Sequence, residues 1–377
     1  MEESHTLVMN WRSAMLAIIM LCAMIPLGYL YSRKIERRAV AWLGALVMAA
    51  VVSGIPVVAG FAGAFDVWPG LTFLPVQMTL LLGPLVFFHA RALMLGQPNG
   101  HYWWLLLPGA VYWIYQLWAF LFLGDHTAKW AFNEAVHYPY VLPAVFYAGL
   151  GLMAWALFAI WRMRTRYLAW LQDHYSDDDA FDPAWLMHLI AIGVPLVVVW
   201  ALENFLGRII GLNYAERFWA EFSVFVLLFF VSLEALARIQ RPYPKMAEPR
   251  GPAATRSRDR SERDWSAEGL RLQAAVLENG WHLQPGLSLQ ELARRFGMNQ
   301  AYVSRALNQG FRLSFSSFIN GLRVEHAKVL LDEGRMSLLD VAMASGFGSK
   351  ASFNRAFKLF SGLTPSAYRR AQTSQFP

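Results

Sequence analysis

The chain has 377 residues, of which 56% are hydrophobic, 15% aromatic and only 16% charged, with a formal charge of +7. Soluble domains carry about 25% charged residues, so this balance points to membrane spans and excludes a chain made only of water-soluble domains. The single cysteine, Cys22, lies in an apolar run, which excludes a disulfide framework and a cysteine zinc site, and the start Met1-Glu2-Glu3-Ser4-His5 lacks the basic region of a cleaved signal peptide.

Seven apolar segments follow in chain order, at about 13–31, 39–60, 71–90, 102–123, 139–161, 186–206 and 218–237. Each is close to the roughly 20 residues that a helix needs to cross about 30 Å of hydrocarbon. Pro26, Pro56, Pro84, Pro108, Pro143 and Pro195 fall within them and are tolerated where neighbours satisfy the freed carbonyls. Tyr102-Trp103-Trp104 and Trp161 suit interfacial anchoring. The sequence therefore predicts an all-α chain: a seven-helix transmembrane bundle over 1–237, then a soluble helical domain.

Loop charges give the orientation. Arg33, Lys34, Arg37, Arg38, then Arg91, then Arg162, Arg164 and Arg166 follow segments one, three and five, whereas Lys129, Arg208 and Arg217 are the basic residues after segments two, four and six. The positive-inside bias puts the first set in the cytoplasm and the N-terminus outside, and seven passes leave the C-terminus inside. The competing even count, with 71–90 misread, strands the C-terminal domain outside. The expected location is a bacterial inner membrane.

Few polar residues interrupt the spans. Gln116, Glu203, Asn204 and Glu221 are candidate ligand-sensing residues. A charge at the bilayer centre costs on the order of 3 kcal/mol or more and so requires a reason. Glu203, Asn204 and Glu221 either face one another across a shallow outward pocket for a cationic or hydrogen-bonding ligand, or reach water and pair with Arg208 or Arg217. Glu234 is expected to pair with Arg238 at i,i+4. His126, His137 and His174 are scattered through loops and read as solvated, as does the run Asp177-Asp178-Asp179 with Asp182. With no HExxH, GxSxG or Walker loop and no ligand-spaced acidic or histidine cluster, neither an enzyme nor a metal or cofactor site is expected.

Residues 238–264, rich in proline, arginine and serine, lack the apolar residues to build a core and read as a flexible cytoplasmic linker. Such a coil transmits little leverage, so control by dimer formation or local concentration is expected.

The remainder, 265–377, is helical. Trp265–Asn279 fits a helix stopped by Gly280. Ser288-Leu289-Gln290-Glu291 is a capping box, with Leu292, Ala293 and Phe296 inward and Gly297 at the turn. Asn299 caps a second helix with Tyr302 or Val303, Ala306 and Leu307 inward. This is a helix-turn-helix arrangement. It repeats: Ser337 caps a helix with Val341, Ala342 and Ala344 inward, Gly346-Phe347-Gly348-Ser349 turns, and Lys350–Leu359 carries Phe353, Ala356 and Phe357 inward. Phe315–Leu331 is the helix joining the two units.

Two such units about 50 residues apart (Arg305 to Arg355), closed by Gly362-Leu363-Thr364-Pro365-Ser366-Ala367-Tyr368-Arg369-Arg370, closely resemble the DNA-binding domain of the AraC family of bacterial transcription regulators. The resemblance covers about the last 100 residues. It implies two recognition helices in successive major grooves, with Ala301, Ser304 and Arg305, then Lys350, Ala351, Asn354 and Arg355, at base edges. Gln300, Ser349 and Lys358 suit phosphates. Leu307-Asn308 and Arg312 depart from the family's Phe-Lys and later glycine, so the first unit is expected to lose a phosphate-binding lysine and a left-handed turn residue and to grip DNA less tightly. The expected function is a membrane-embedded one-component transcription regulator. Its expected partners are double-stranded DNA, the lipid bilayer, an unknown small-molecule or membrane signal, RNA polymerase and a second copy in a homodimer. The alternative is a constitutive DNA binder that the membrane half only anchors.

Overall fold

The computed structural model describes residues 7–96, 100–210, 216, 218–246 and 264–375. It is all-α: the described residues contain helices and two isolated bridges, Leu95 with Met246 and Tyr175 with Ser288. Two compact units emerge, one of residues 1–164 and 183–248 and one of 165–182 and 249–377. The chain therefore passes between units three times, at 164/165, 182/183 and 248/249, and not through one linker alone.

The first unit opens with α1 (Trp11–Ser32), whose N-cap Asn10 accepts from the amides of Arg12 and Ser13. It continues with α2 (Arg37–Phe61) and the short α3 (Ala64–Val67). Next come α4 (Thr79–Met94), α5 (Leu107–Phe122), α6 (His126–Phe132) and a nine-residue π-helical stretch, Asn133–Val141. That stretch runs into α7 (Leu142–His174), whose residues from 165 on belong to the second unit, and α8 (Trp185–Ile210) and α9 (Phe218–Arg238) complete the series.

Among the described residues five helices, not seven, have the length and composition to cross a membrane: Trp11–Ser32, Arg37–Phe61, Tyr102–Phe122, His126–His174 and Phe218–Arg238. The segment expected at 71–90 departs for a local reason. Pro69–Leu71 forms a tight turn, Phe73 is left-handed (φ 65°), and α4 starts only at Thr79, leaving 16 residues or about 24 Å of helix. The irregular approach survives in an apolar setting because side chains satisfy its backbone. Gln116 accepts from Gln77 N at 3.1 Å and donates to Gln77 O at 2.9 Å, while Ser53 Oγ accepts from Met78 N at 2.7 Å. Segment six yields only Trp185–Pro195 as a shorter apolar helix, inside the longer α8.

The basic ends gather on one face of this unit. Lys245 Nζ binds Glu36 at 2.5 Å and the carbonyl of Leu93 at 2.9 Å, Tyr243 N donates to Glu36 at 2.7 Å, and Met246 N reaches Met94 O at 3.0 Å. Residues 239–246, expected as flexible linker, are thus docked, with Ile239 and Tyr243 buried. Residues 247–263 lie outside the described residues. Glu234 pairs with Arg238 at 3.5 Å as its spacing predicts.

The second unit holds α10 (Trp265–Glu278), α11 (Leu289–Arg295), α12 (Gln300–Gly310), α13 (Phe315–Asp332), α14 (Leu338–Ala344), α15 (Lys350–Ser361) and α16 (Pro365–Gln375). Side-chain oxygens of Asp264, Ser288, Asn299, Ser314, Ser337 and Ser349 cap α10 to α15 in turn. The capping box at Ser288 is half built, because Glu291 pairs with Arg295 through its side chain. Two cores form. One packs Leu292, Val303 and Leu307 with Phe315 and Ile319; the other packs Val324, Ala327 and Val341 with Phe347, Phe353 and Phe357. α13 supplies both.

Val303, not Tyr302, is the fully buried position of α12. Tyr302 packs against Trp265 at 5.5 Å. In α14, Ala344 is exposed and Ser345 takes the inward place, because the helix ends there. Gly346 has φ 82°, and a Cβ on it would lie 2.6 Å from the backbone of Leu283. Gly346→Ala is expected to lower the stability of this unit by about 1–3 kcal/mol through overpacking, with left-handed strain in addition. A thermal midpoint equal to wild type would contradict that close approach.

Candidate nucleic-acid interface

Each recognition helix is positioned by its cap and its buried stripe. In α12, Asn299 Oδ1 takes the Tyr302 amide at 2.7 Å, and Val303, Ala306 and Leu307 turn inward. The helical period then puts Ala301 and Arg305 outward, with Gln300 and Ser304 half-buried at the rim. The Arg305 guanidinium rests over the Trp265 ring at 5.8 Å, so α10 braces its stem. In α15, Ser349 Oγ accepts from Ser352 N at 3.1 Å, and Phe353, Ala356 and Phe357 are inward. Ser349, Lys350, Ala351, Asn354, Arg355 and Lys358 are all exposed. All ten predicted DNA-contacting positions therefore lie on the outward sides of two capped helices.

Arg312 corrects one expectation. It adopts φ 58°, so the left-handed turn after α12 is kept with an arginine in place of glycine. Asn308 donates to Ser304 Oγ at 3.2 Å, joining two residues of the outer rim.

The acidic run is also corrected. Asp177 is 8% exposed and Arg323, on the apolar stripe of α13, is 0% exposed; they pair at 3.0 Å. Asp178 accepts from Ser316 Oγ at 3.2 Å and lies in the field of Arg355, on the second recognition helix. Burial raises the Asp178 carboxyl above the usual carboxylate range, against the pull of Ser316 and Arg355. The signal for this network was in the sequence: Arg323 falls four residues from both Ile319 and Ala327, a charge on a buried face that needs a counterion.

Of the candidate sensing residues, Glu221 and Gln116 line different cavities. Glu221 lines a cavity of about 240 Å³ in the first unit, with Ser53, Gly54, Gln77, Thr79 and Phe225. Gln116 is buried in its bonds to Gln77 and lines a separate cavity of about 170 Å³ beside His137. The side chains of Glu203 and Asn204 lie outside the described residues. His137 is not solvated: it meets Tyr115 Oη at 3.0 Å and the Phe73 ring at 4.8 Å. His174 stacks on Trp170 at 4.7 Å. Among the described residues no cluster of histidine, cysteine or acidic side chains can hold a metal.

Comparison with known proteins finds likeness in the stretch that holds these helices. A helix-turn-helix domain family matches residues 292–371, from α11 to α16, and includes all ten positions. An uncharacterized HTH-type transcriptional regulator of Staphylococcus aureus strain MSSA476 is 38% identical over 88 residues, 23% of this chain and 12% of that protein. The virulence regulon transcriptional activator VirF of Yersinia enterocolitica is 35% identical over 99 residues, 26% of this chain and 35% of that protein. A solved protein of unknown function from Listeria innocua is 29% identical, with 27% of this chain and 94% of that one covered and a TM-score of 0.25. The chain spans about an eighth of the length of the first of these relatives, and each likeness covers about a quarter of this chain. Residues 292–371 thus match an AraC-type helix-turn-helix domain, which implies DNA binding.

Proposed function

We propose that the chain is a membrane-embedded, DNA-binding transcription regulator whose first unit senses a membrane or small-molecule signal. The observation that carries this reading is the coexistence, in one chain, of two outward recognition faces and five helices of membrane-crossing length. The ends at Glu36, Met94 and Lys245 meet on one face and carry Arg33, Arg37, Arg38 and Arg241. We place that face in the cytoplasm, where the positive-inside bias and access to DNA agree. The cavity holding Glu221 and Gln77 is the candidate sensing site, apolar over most of its wall with a carboxylate and an amide for an amphiphile's polar end. Glu221→Gln is expected to change reporter output from a target promoter while leaving operator affinity of the solubilised full chain unchanged. Unaltered output would leave the anchor reading in its place. A C-terminal fluorescent fusion that stays dark would contradict the orientation.

Asp178 gives a second expectation. A carboxylate beside Arg355 repels approaching phosphates, so Asp178→Asn is expected to raise operator affinity roughly 2- to 5-fold, the range of about 0.5–1 kcal/mol for partly screened charges. Its folded pKa is raised, so the protonated form is favoured in the folded unit. The stability this contributes is fully present below the ordinary, unfolded carboxyl pKa and is lost as pH rises through the raised folded one. Operator affinity should therefore rise on mild acidification in wild type, and less so in Asp178→Asn. Equal affinity of the two proteins at neutral pH would contradict the placement.

A further inference from the structure

We propose that Ser176 and Asp177, in the loop after α7, are positioning residues of the DNA-reading unit: they hold α13 and the entrances to both helix-turn-helix units in register. This rests on the DNA-reading function proposed above and adds to it a route of control.

The contacts converge on a few residues. Ser316, Asn320 and Arg323 occupy one face of α13 at i, i+4 and i+7. Asn320 Nδ2 donates to Ser176 O at 3.0 Å, and Ser316 Oγ donates to the same carbonyl at 3.4 Å. The Arg323 guanidinium donates to Asp177 Oδ1 at 3.0 Å, Ser176 Oγ at 3.2 Å, His282 O at 2.7 Å and Gln284 O at 2.8 Å. A buried guanidinium requires such a set, and the only charged acceptor among these four comes from the loop.

The same loop reaches both units. Asp177 Oδ2 accepts from Gly286 N at 2.9 Å, and Ser176 N donates to Leu287 O at 3.0 Å, directly before the Ser288 cap of α11. Asp177 Oδ2 also stands 2.9 Å from where a Cβ on Gly348 would lie, in the turn that opens α15. Two adjacent residues thus touch the entrance to the first helix-turn-helix, the joining helix and the entrance to the second. Asp177 and Arg323 are 146 positions apart, and the matched domain, 292–371, contains no part of the loop. The reader borrows its keystone from the stretch between two apolar segments.

A buried ion pair is weak evidence of net stability, since apolar residues of similar volume often serve as well; its attested use is to fix register. Here the loop directly continues α7, a 33-residue helix whose residues up to Arg164 belong to the first unit.

The test uses the full chain in phosphatidylglycerol/phosphatidylcholine nanodiscs, with duplexes selected by wild type from a randomised pool. Asp177→Asn is expected to lose about 5- to 150-fold in affinity for the selected duplex, the span of typical coupling between sites. Affinity for random duplex should stay constant, because the phosphate-contacting residues are intact. Hydrogen exchange should accelerate at 282–288 and in α13, Asp177→Glu should recover part of the loss, and Asp173→Asn, the same charge change on α7, should behave as wild type. Asn320→Ala, which removes a bond to the loop but no charge, should weaken selected binding in the same direction and covers the case in which Asp177→Asn fails to fold. Wild-type affinity and exchange in Asp177→Asn overturn the proposal. Failure of wild type to select any sequence overturns the DNA-reading function as well.

Discussion

Replacing Arg305 and Arg355 together by alanine is expected to abolish the preference of the full chain for its operator while leaving general DNA affinity largely intact. Each arginine is exposed on the outward side of a capped recognition helix. A good side-chain contact to a base is worth about 1–3 kcal/mol, so the pair accounts for about 2–6 kcal/mol, much of the roughly 4–10 kcal/mol that separates specific from non-specific binding. Gln300, Ser349 and Lys358 are expected still to meet phosphates, which supply affinity without sequence information. The measurement is competition between operator and random duplex at fixed salt. A double variant that still prefers its operator would place base reading on other residues.

Breaking the Asp177–Arg323 pair gives the second large effect, now in stability. Removing one partner of a buried pair costs about 3–5 kcal/mol because the other charge is left uncompensated. The two losses are unequal. Asp177→Ala leaves a fully buried guanidinium, whose pKa burial already lowers against the pull of Asp177, with neutral acceptors only. Arg323→Ala leaves a carboxylate that keeps the Gly286 amide and is 10% exposed. Asp177→Ala is therefore expected to be the more damaging, and the double replacement less damaging than the sum of the singles. Thermal or denaturant unfolding of the four proteins in one double-mutant cycle decides this, and additive losses would show that the pair is not a unit.

Most of the C-terminal unit was legible in the sequence, because local rules and global packing agree there. Capping oxygens at Ser288, Asn299, Ser337 and Ser349 and inward stripes at helical spacing fix both recognition helices before any long-range contact is known. The misses are long-range or backbone in origin. Asp177 reads as solvated because its partner is far along the chain. Residues 239–246 read as linker because proline-rich composition says nothing of Glu36, which binds Tyr243 and Lys245. The segment 71–90 reads as one helix because hydropathy does not register that Gln116 and Ser53 satisfy an irregular backbone at Gln77 and Met78. Arg312 shows the converse: a left-handed turn persists without the glycine that would have announced it. At the candidate interface the ten positions came from the family resemblance and the caps, whereas the Trp265 brace under Arg305 needed the packing of α10.

The central claim is that one chain holds a tandem DNA reader to a membrane. Footprinting of the full chain in lipid vesicles on a selected operator tests it directly. The account predicts two protected major-groove segments on one face of the duplex, about one helical turn apart, with protein, lipid and DNA recovered together on flotation. Protection without sequence preference, or a specific footprint only from protein released from the vesicles, would contradict it.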